Sequence, residues 1–207
     1  MDAGACVQSQ RPDRPSLLSA VKIARSIFFL FTLAVFASEP LAWAQSDSPS
    51  EYQVKAAFLY NFAKFVEWPA DAFPDSTSPF VFGIVGDDPF EGELTGMISE
   101  KSLNGRRVVV RRFRRGEDLR QCHVLFISSS EKKNLAQLLD SVKGLSILTV
   151  ADTDGFARQG GIIGLVLEEN RVRLEINPQA AEHSHLKISS KLLALARIVG
   201  EPGGGRD

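Results

Sequence analysis

The side chains able to do chemistry are few and scattered. Cys122 and His123 are adjacent and form the obvious candidate for a nucleophile and its base. They open the strand-like run CHVLFI (122–127), and neighbours along a strand point to opposite faces. The contact that activates a thiol is therefore not expected, and Cys122 reads as a buried structural thiol. His183 and His185 have a spacing that suits two metal ligands. Beyond residue 44 the only other Cys or His donors are Cys122 and His123, so a closed four-ligand site is not expected and the pair reads as surface loop. Gly160-Gly161-Ile162-Ile163-Gly164 precedes a strand instead of joining a strand to a helix, which is the wrong context for a dinucleotide fingerprint. Asp87-Asp88 after a strand suggests a phosphoacceptor, but such a site needs an aspartate at the end of the central strand, where Ser128 stands. No catalytic centre, metal site or cofactor is predicted. Asp87, Asp88, Ser128 and Asp152 remain, all within two residues of the carboxyl end of an apolar strand. Open α/β sheets bind ligands at the carboxyl ends of their strands, so these four define a possible ligand crevice; helix and turn capping explains each of them equally well.

The elements that position these residues follow from the apolar pattern. Tyr52–Pro69 (YQVKAAFLYNFAKFVEWP) predicts a helix stopped at Trp68-Pro69, because proline disfavours a helical residue before it. At about 100° per residue, Val54, Phe58, Leu59, Phe62, Phe65 and Val66 fall on one broad arc and Gln53, Tyr60, Lys64 and Glu67 on the other. Lys55 projects into the middle of the apolar arc. It either snorkels to water from the first turn or is a buried ammonium held by a carboxylate or backbone carbonyls.

Strands are expected at 79–86, 106–114, 122–127 and 146–150, the third central because it is so apolar. Arg106–Arg114 places Val108, Val109, Val110 and Phe113 between arginines and reads as an exposed edge strand whose charge blocks edge-to-edge pairing. Asp88 is expected to cap a helix with Pro89 at its first position, and Ser128–Glu131 to cap the helix carrying Leu135, Leu138, Leu139 and Val142. A helical turn at 152–157 ends at Gly160-Gly161. An antiparallel hairpin joins 162–167 to 171–176 through Glu169-Asn170. A closing helix is expected over 186–199, with Ile188, Leu192, Leu195 and Val199 on one face, and a frayed tail from Gly200. Alternating strands and helices with a terminal hairpin predict a single three-layer α/β/α domain with a mixed sheet over 52–199.

The chain has 24 basic against 25 acidic residues, a balance that argues against a general nucleic-acid binder, whose affinity rests on neutralising phosphates. Residues 22–44 combine Lys22 and Arg25, an apolar run at 27–37 and Ala42-Trp43-Ala44, the pattern of a secretory signal peptide. The run is short of the ~20 residues that span a bilayer, although an uncleaved anchor is the alternative. The first 21 residues make an extended N-region. Cleavage after Ala44 leaves a polar leader at 45–51 and an exported chain with no membrane-inserted segment, in which Cys122 is the lone thiol.

Six collinear segments resemble the YfiR family of periplasmic regulators: YQVKAAFLYNFAKFVEWP (52–69), GIVGDDPF (83–90), CHVLFIS (122–128), LTVADTDGFARQGGIIGLV (148–166), NRVRLEIN (170–177) and LKISSKLLALA (186–196). The resemblance implies a periplasmic, non-enzymatic protein. It would restrain an inner-membrane sensor protein, a diguanylate cyclase in the best-known case, by contacting its periplasmic part, thereby lowering cyclic di-GMP and biofilm formation. Gly83 stands where the family would have a cysteine, so the implied disulfide partner of Cys122 is missing. On this reading a few aromatic anchors carry association. The helix at 52–69 holds the densest aromatic set, which makes Tyr60, Lys64 and Trp68 the candidate partner-binding residues; a homodimer is an open alternative. The competing class is a periplasmic small-ligand binder or enzyme using the strand-end carboxylates.

Overall fold

A computed structural model describes residues 50–200 of the chain, Asn170 excepted. The signal-peptide segment, most of the polar leader and the tail beyond Gly200 lie outside the described residues.

Helix α1 (Glu51–Phe65) opens with a reciprocal capping box: the Ser50 hydroxyl accepts from the Gln53 backbone N–H, and the Gln53 side chain accepts from the Ser50 N–H. Two such bonds satisfy two of the donors a helix start leaves orphaned. The helix ends at Phe65, three residues before Trp68. Val66–Glu67 turns extended as β1, pairing antiparallel with β9 (Lys187–Ile188). That pairing wins over helix continuation, and it also corrects the expected arc: Phe65 is 39% exposed, whereas Lys55, Ala56, Leu59, Phe62 and Ala63 are buried.

The main sheet comprises β2 (Phe80–Val85), β3 (Ser102–Leu103), β4 (Arg106–Phe113), β5 (Val124–Ile127), β6 (Leu148–Ala151), β7 (Ile163–Glu168), β8 (Arg171–Ile176) and β10 (Arg197–Ile198). Its order is β10-β8-β7-β6-β5-β2-β4-β3. From β4 through β7 neighbouring strands run parallel, and β7–β8 is the expected antiparallel hairpin, paired from Ile163↔Ile176 to Glu168↔Arg171. The β2, β5 and β6 strands are buried along their whole length, as strands covered on both faces must be. Two separate cores lie on the two faces. Phe80, Phe82, Ile84, Val124 and Phe126 pack under α1, α2 (Glu93–Ile98) and the C-terminal segment. Val85, Leu125 and Ile127 pack with Leu119, Phe156 and the Leu135 and Leu138 side chains of α3 (Leu135–Ser141) on the other. Helices on both faces of a mixed sheet make one α/β domain, as predicted.

Three expected elements differ. Asp88 does not start a helix at Pro89; its Oδ1 accepts from Phe90 N at 2.9 Å to close a turn, and α2 begins at Glu93 after Gly92 in the left-handed region. The helix after β5 starts as a 3₁₀ segment, Ser129–Asn134, before α3. The predicted helix over 186–199 is broken into β9, a single turn α5 (Ser190–Leu193) capped by Ser189, and β10 pairing parallel with β8. Its periodic face is split as well: Leu192 is buried while Leu195 is 76% exposed. Strand pairing at both ends, with Ser189 N–H donating to Phe65 O, outweighs the helical pattern. A further helix, α4 (Pro178–His183), was not anticipated, although Asn177 as its cap and Pro178 at its first position signal it.

Candidate functional site

Lys55 is the polar centre of the α1 side. Its side chain is 4% exposed, and Nζ lies 2.8 Å from Asp152 Oδ2, whose side chain is 6% exposed, and also pairs with Glu51 one turn back. Tyr52 adds its hydroxyl to Asp152 Oδ2 at 3.0 Å, and its ring lies 4.4 Å under the ammonium. Of the two readings open for Lys55, the structure shows the buried ammonium held by a carboxylate. Burial works against its charge, but the hydrogen bonds to Asp152 and Glu51 outweigh it and raise its pKa. Burial and then the negative Asp152 raise the Tyr52 pKa as well. The cluster ties the first turn of α1 to the carboxyl end of β6.

The other strand-end residues are also engaged locally. Asp88 Oδ2 accepts from Arg112 Nε at 2.8 Å. Ser128 caps the 3₁₀ segment, its Oγ 3.2 Å from Ser130 Oγ, and Ser130 Oγ accepts from Asp87 N at 2.9 Å. Asp87 and Ser128 are thus linked through Ser130, while Asp152 belongs to the α1 anchor and Asp88 to the β4 edge. Among the described residues, no three His, Cys, Asp or Glu side chains converge in a metal-binding group.

On the solvent side of the same helix, α1 and α2 leave a groove of about 650 Å³ between them. It is lined by Val54, Ala57, Phe58 and Met97, with Gln53 and Glu93 at one end and Asn61 farther along. Gln53 Nε2 donates to Glu93 Oε1 at 2.9 Å and joins the two helices there. Elsewhere on α1 the Tyr60 ring has two ammonium groups over it, Lys64 at 4.3 Å and Lys101, beyond the end of α2, at 4.5 Å. Tyr60 and Lys64 are therefore in contact. Trp68 is elsewhere, half-buried with its ring edge-on to Phe80 at 5.0 Å and its Nε1 enclosed. Sequence reasoning missed Met97, Lys101 and Glu93, because nothing in the 91–101 segment announces that it lies beside α1.

The two residues of the rejected dyad face opposite sides of the sheet. His123 stacks against Phe73 at 4.4 Å and Phe80 at 4.9 Å. Its Nδ1 accepts from Val81 N at 3.1 Å, and Nε2 lies 3.2 Å from Ala72 O. That pattern fits the neutral ring with the proton on Nε2, and burial, helped by the Arg106 charge, pushes its pKa down to about 4. Cys122 lies in the opposite core, where burial pushes the thiol up to about 12. A methyl group placed on Gly83 would lie 2.5 Å from Cys122 Sγ. The position at which the family resemblance led to a cysteine is therefore the one directly against this thiol. Gly161, part of the rejected glycine fingerprint, lies against the Phe156 ring too closely for any side chain.

The sequence matches the YfiR/HmsC-like family over residues 52–197, and the chain belongs to that family. No curated protein matches it.

Proposed function

We propose that this chain is a non-enzymatic regulator exported to the periplasm, where it binds and restrains the periplasmic sensory part of an inner-membrane signalling protein. Within its family the partner best fitting that role is a diguanylate cyclase, which makes the output cyclic di-GMP and biofilm formation. The observation that carries the reading is the groove between α1 and α2. It offers apolar surface from Val54, Ala57, Phe58 and Met97, and the same helix carries Tyr60 with the Lys64 and Lys101 ammonium groups over its ring. Aromatic anchors next to desolvatable apolar surface supply most of the energy in protein interfaces. The Lys55–Asp152 anchor beneath keeps α1 fixed, so little ordering cost is left for binding.

Tyr60, Lys64 and Trp68 are the proposed contacts, with Phe58 as the apolar anchor; of the three, Trp68 is set apart, half-buried against Phe80. The strand-end carboxylates support the alternative, a small-ligand site, less well, since Asp88 and Asp152 already hold Arg112 and Lys55. The test is co-purification with the cyclase from detergent-solubilised membranes, read beside cellular cyclic di-GMP. Phe58→Ala and Tyr60→Ala, checked for folding by circular dichroism, are expected to lose about 1–3 kcal/mol of binding each and to raise cyclic di-GMP. Asp87→Ala is expected to do neither. Folded groove variants that bind normally while Asp87→Ala fails would move the site to the strand ends. Export is tested by sequencing the mature N-terminus, expected at Gln45.

A further inference from the structure

The opposite margin of the main sheet carries a second surface. Strand β4 is eight residues long, but β3 covers only its first two, through Ser102↔Arg107 and Leu103↔Arg106. Among the described residues nothing pairs with the outer backbone of Val108–Phe113; its other side is bonded to β2 throughout. An unpaired row of backbone donors and acceptors is a template for another strand, and six residues at about 3.3 Å each give it a length of roughly 20 Å.

The charge along this edge is one-sided. Arg107, Arg111, Arg112, Arg114 and Arg115 are all exposed. Arg112 and Arg115 have carboxylate partners in Asp88 and Glu131. Arg107, Arg111 and Arg114 have none among the described residues; Arg111 instead donates to Gln121 and lies over the Phe113 ring. Three uncompensated guanidinium groups thus flank half-buried Val109 and Val110 in the middle of the edge. A second copy of this chain is a poor occupant, because pairing β4 with β4 places these cations against each other. A strand carrying carboxylates is a good one, since each can take a planar, two-pronged guanidinium contact.

We propose that the free edge of β4 from Val108 to Phe113 is a docking site for an extended, acidic segment of a partner protein, which joins the sheet as an additional strand. Backbone hydrogen bonds supply the pairing, and Arg107, Arg111 and Arg114 select the charge. The competing account is that the arginines only guard the edge against aggregation; it predicts no binding by any peptide. The surface lies on a different element from the α1–α2 groove, so it can stand or fall independently of the function proposed above.

The experiment uses a fluorescein-labelled seven-residue peptide alternating Glu and Val. Its Lys/Val counterpart, an analogue N-methylated at alternate residues, and an oligothymidylate of similar charge serve as controls. Anisotropy at low salt gives affinity, and amide hydrogen exchange of the full domain gives location. The Glu/Val peptide is expected to bind and to slow exchange within Val108–Phe113, while the Lys/Val peptide does not bind. N-methylation is expected to weaken binding by about tenfold or more, because it removes strand pairing and leaves the charge. The doubly substituted Arg107→Glu, Arg114→Glu domain is expected to bind the Glu/Val peptide about tenfold more weakly and to gain affinity for the Lys/Val one. Equal binding by the N-methylated analogue, equal or tighter binding by the oligonucleotide, protection elsewhere than Val108–Phe113, or no binding at all would each overturn the proposal.

Discussion

Replacing Lys55 by Met tests whether the α1 anchor holds the domain together. The side chains of Lys55 and Asp152 are 4% and 6% exposed and 2.8 Å apart, so removing the ammonium strands a carboxylate in the interior. Breaking a buried pair from one side costs about 3–5 kcal/mol. Tyr52 still donates to Asp152 Oδ2, and a hydrogen bond to a charged group retains about 1.5–3 kcal/mol, which puts the expected loss near the lower end, about 3 kcal/mol. The Glu51 contact adds little, because Glu51 is 38% exposed and such pairs contribute about 0–1 kcal/mol. For a domain of this size the loss corresponds to a fall in Tm of roughly 6–12 °C. Urea unfolding followed by circular dichroism measures it directly. The double substitution Lys55→Met, Asp152→Leu removes both charges and is expected to recover most of the stability. A loss below about 1 kcal/mol for Lys55→Met, or a double variant worse than the single, would refute the anchor argument. The sign with pH follows from the raised Lys55 pKa. A cation favoured in the folded state contributes fully below its ordinary value of 10.5 and is lost as pH rises through the higher folded value. The alkaline limb of the stability curve should therefore flatten in Lys55→Met.

His123 sets the acid side. With its pKa pushed from 6.5 to about 4, its contribution is complete above pH 6.5 and is lost as pH falls through about 4. The total is on the order of 3 kcal/mol, read from urea midpoints between pH 7 and pH 4. Imidazole carbon shifts should report a neutral ring at pH 5. Cys122, buried and pushed up to about 12, should resist thiol reagents until the domain is unfolded, and reductant should leave Tm unchanged; labelling in native buffer would contradict its placement. Gly83→Ala should cost about 1–3 kcal/mol by overpacking against Cys122 and Phe113. Gly83→Cys should lose both free thiols on oxidation, counted with a thiol reagent after denaturation.

The central strands β2, β5 and β6 were legible because they are apolar runs bounded by turn residues, and the hairpin because two alternating runs meet at Glu169-Asn170. The separation of Cys122 from His123 was legible too, although both stand just ahead of β5 (Val124–Ile127) instead of within it; the neutral state of His123 was not. Elements governed by distant pairing were not legible. Residues 186–199 have helical spacing, yet β1 and β8 draw their two ends into strands, and no local pattern records a partner more than a hundred residues away in one case. The same limit applies to Lys55: its place in the apolar arc was visible, but the carboxylate that holds it, Asp152, is 97 residues on. The groove was hidden for a related reason, since one wall of it is α2, a six-residue helix whose start was misplaced by the Asp88-Pro89 signal.

The small antiparallel pairing of Val66–Glu67 with Lys187–Ile188, reinforced by Ser189 N–H donating to Phe65 O, has a consequence for the order of events in folding. The helix that carries the groove is the first element of the domain, but its last turn is fastened by residues from the far end of the chain. Such long-range closures form late and slowly. A chain cut short before Lys187 would keep every groove residue and the Lys55 anchor while leaving the end of the helix untied. On the function proposed above, completion of the polypeptide becomes a condition for presenting the groove in its final shape, and fragments ending before Lys187 are expected to compete poorly for the partner.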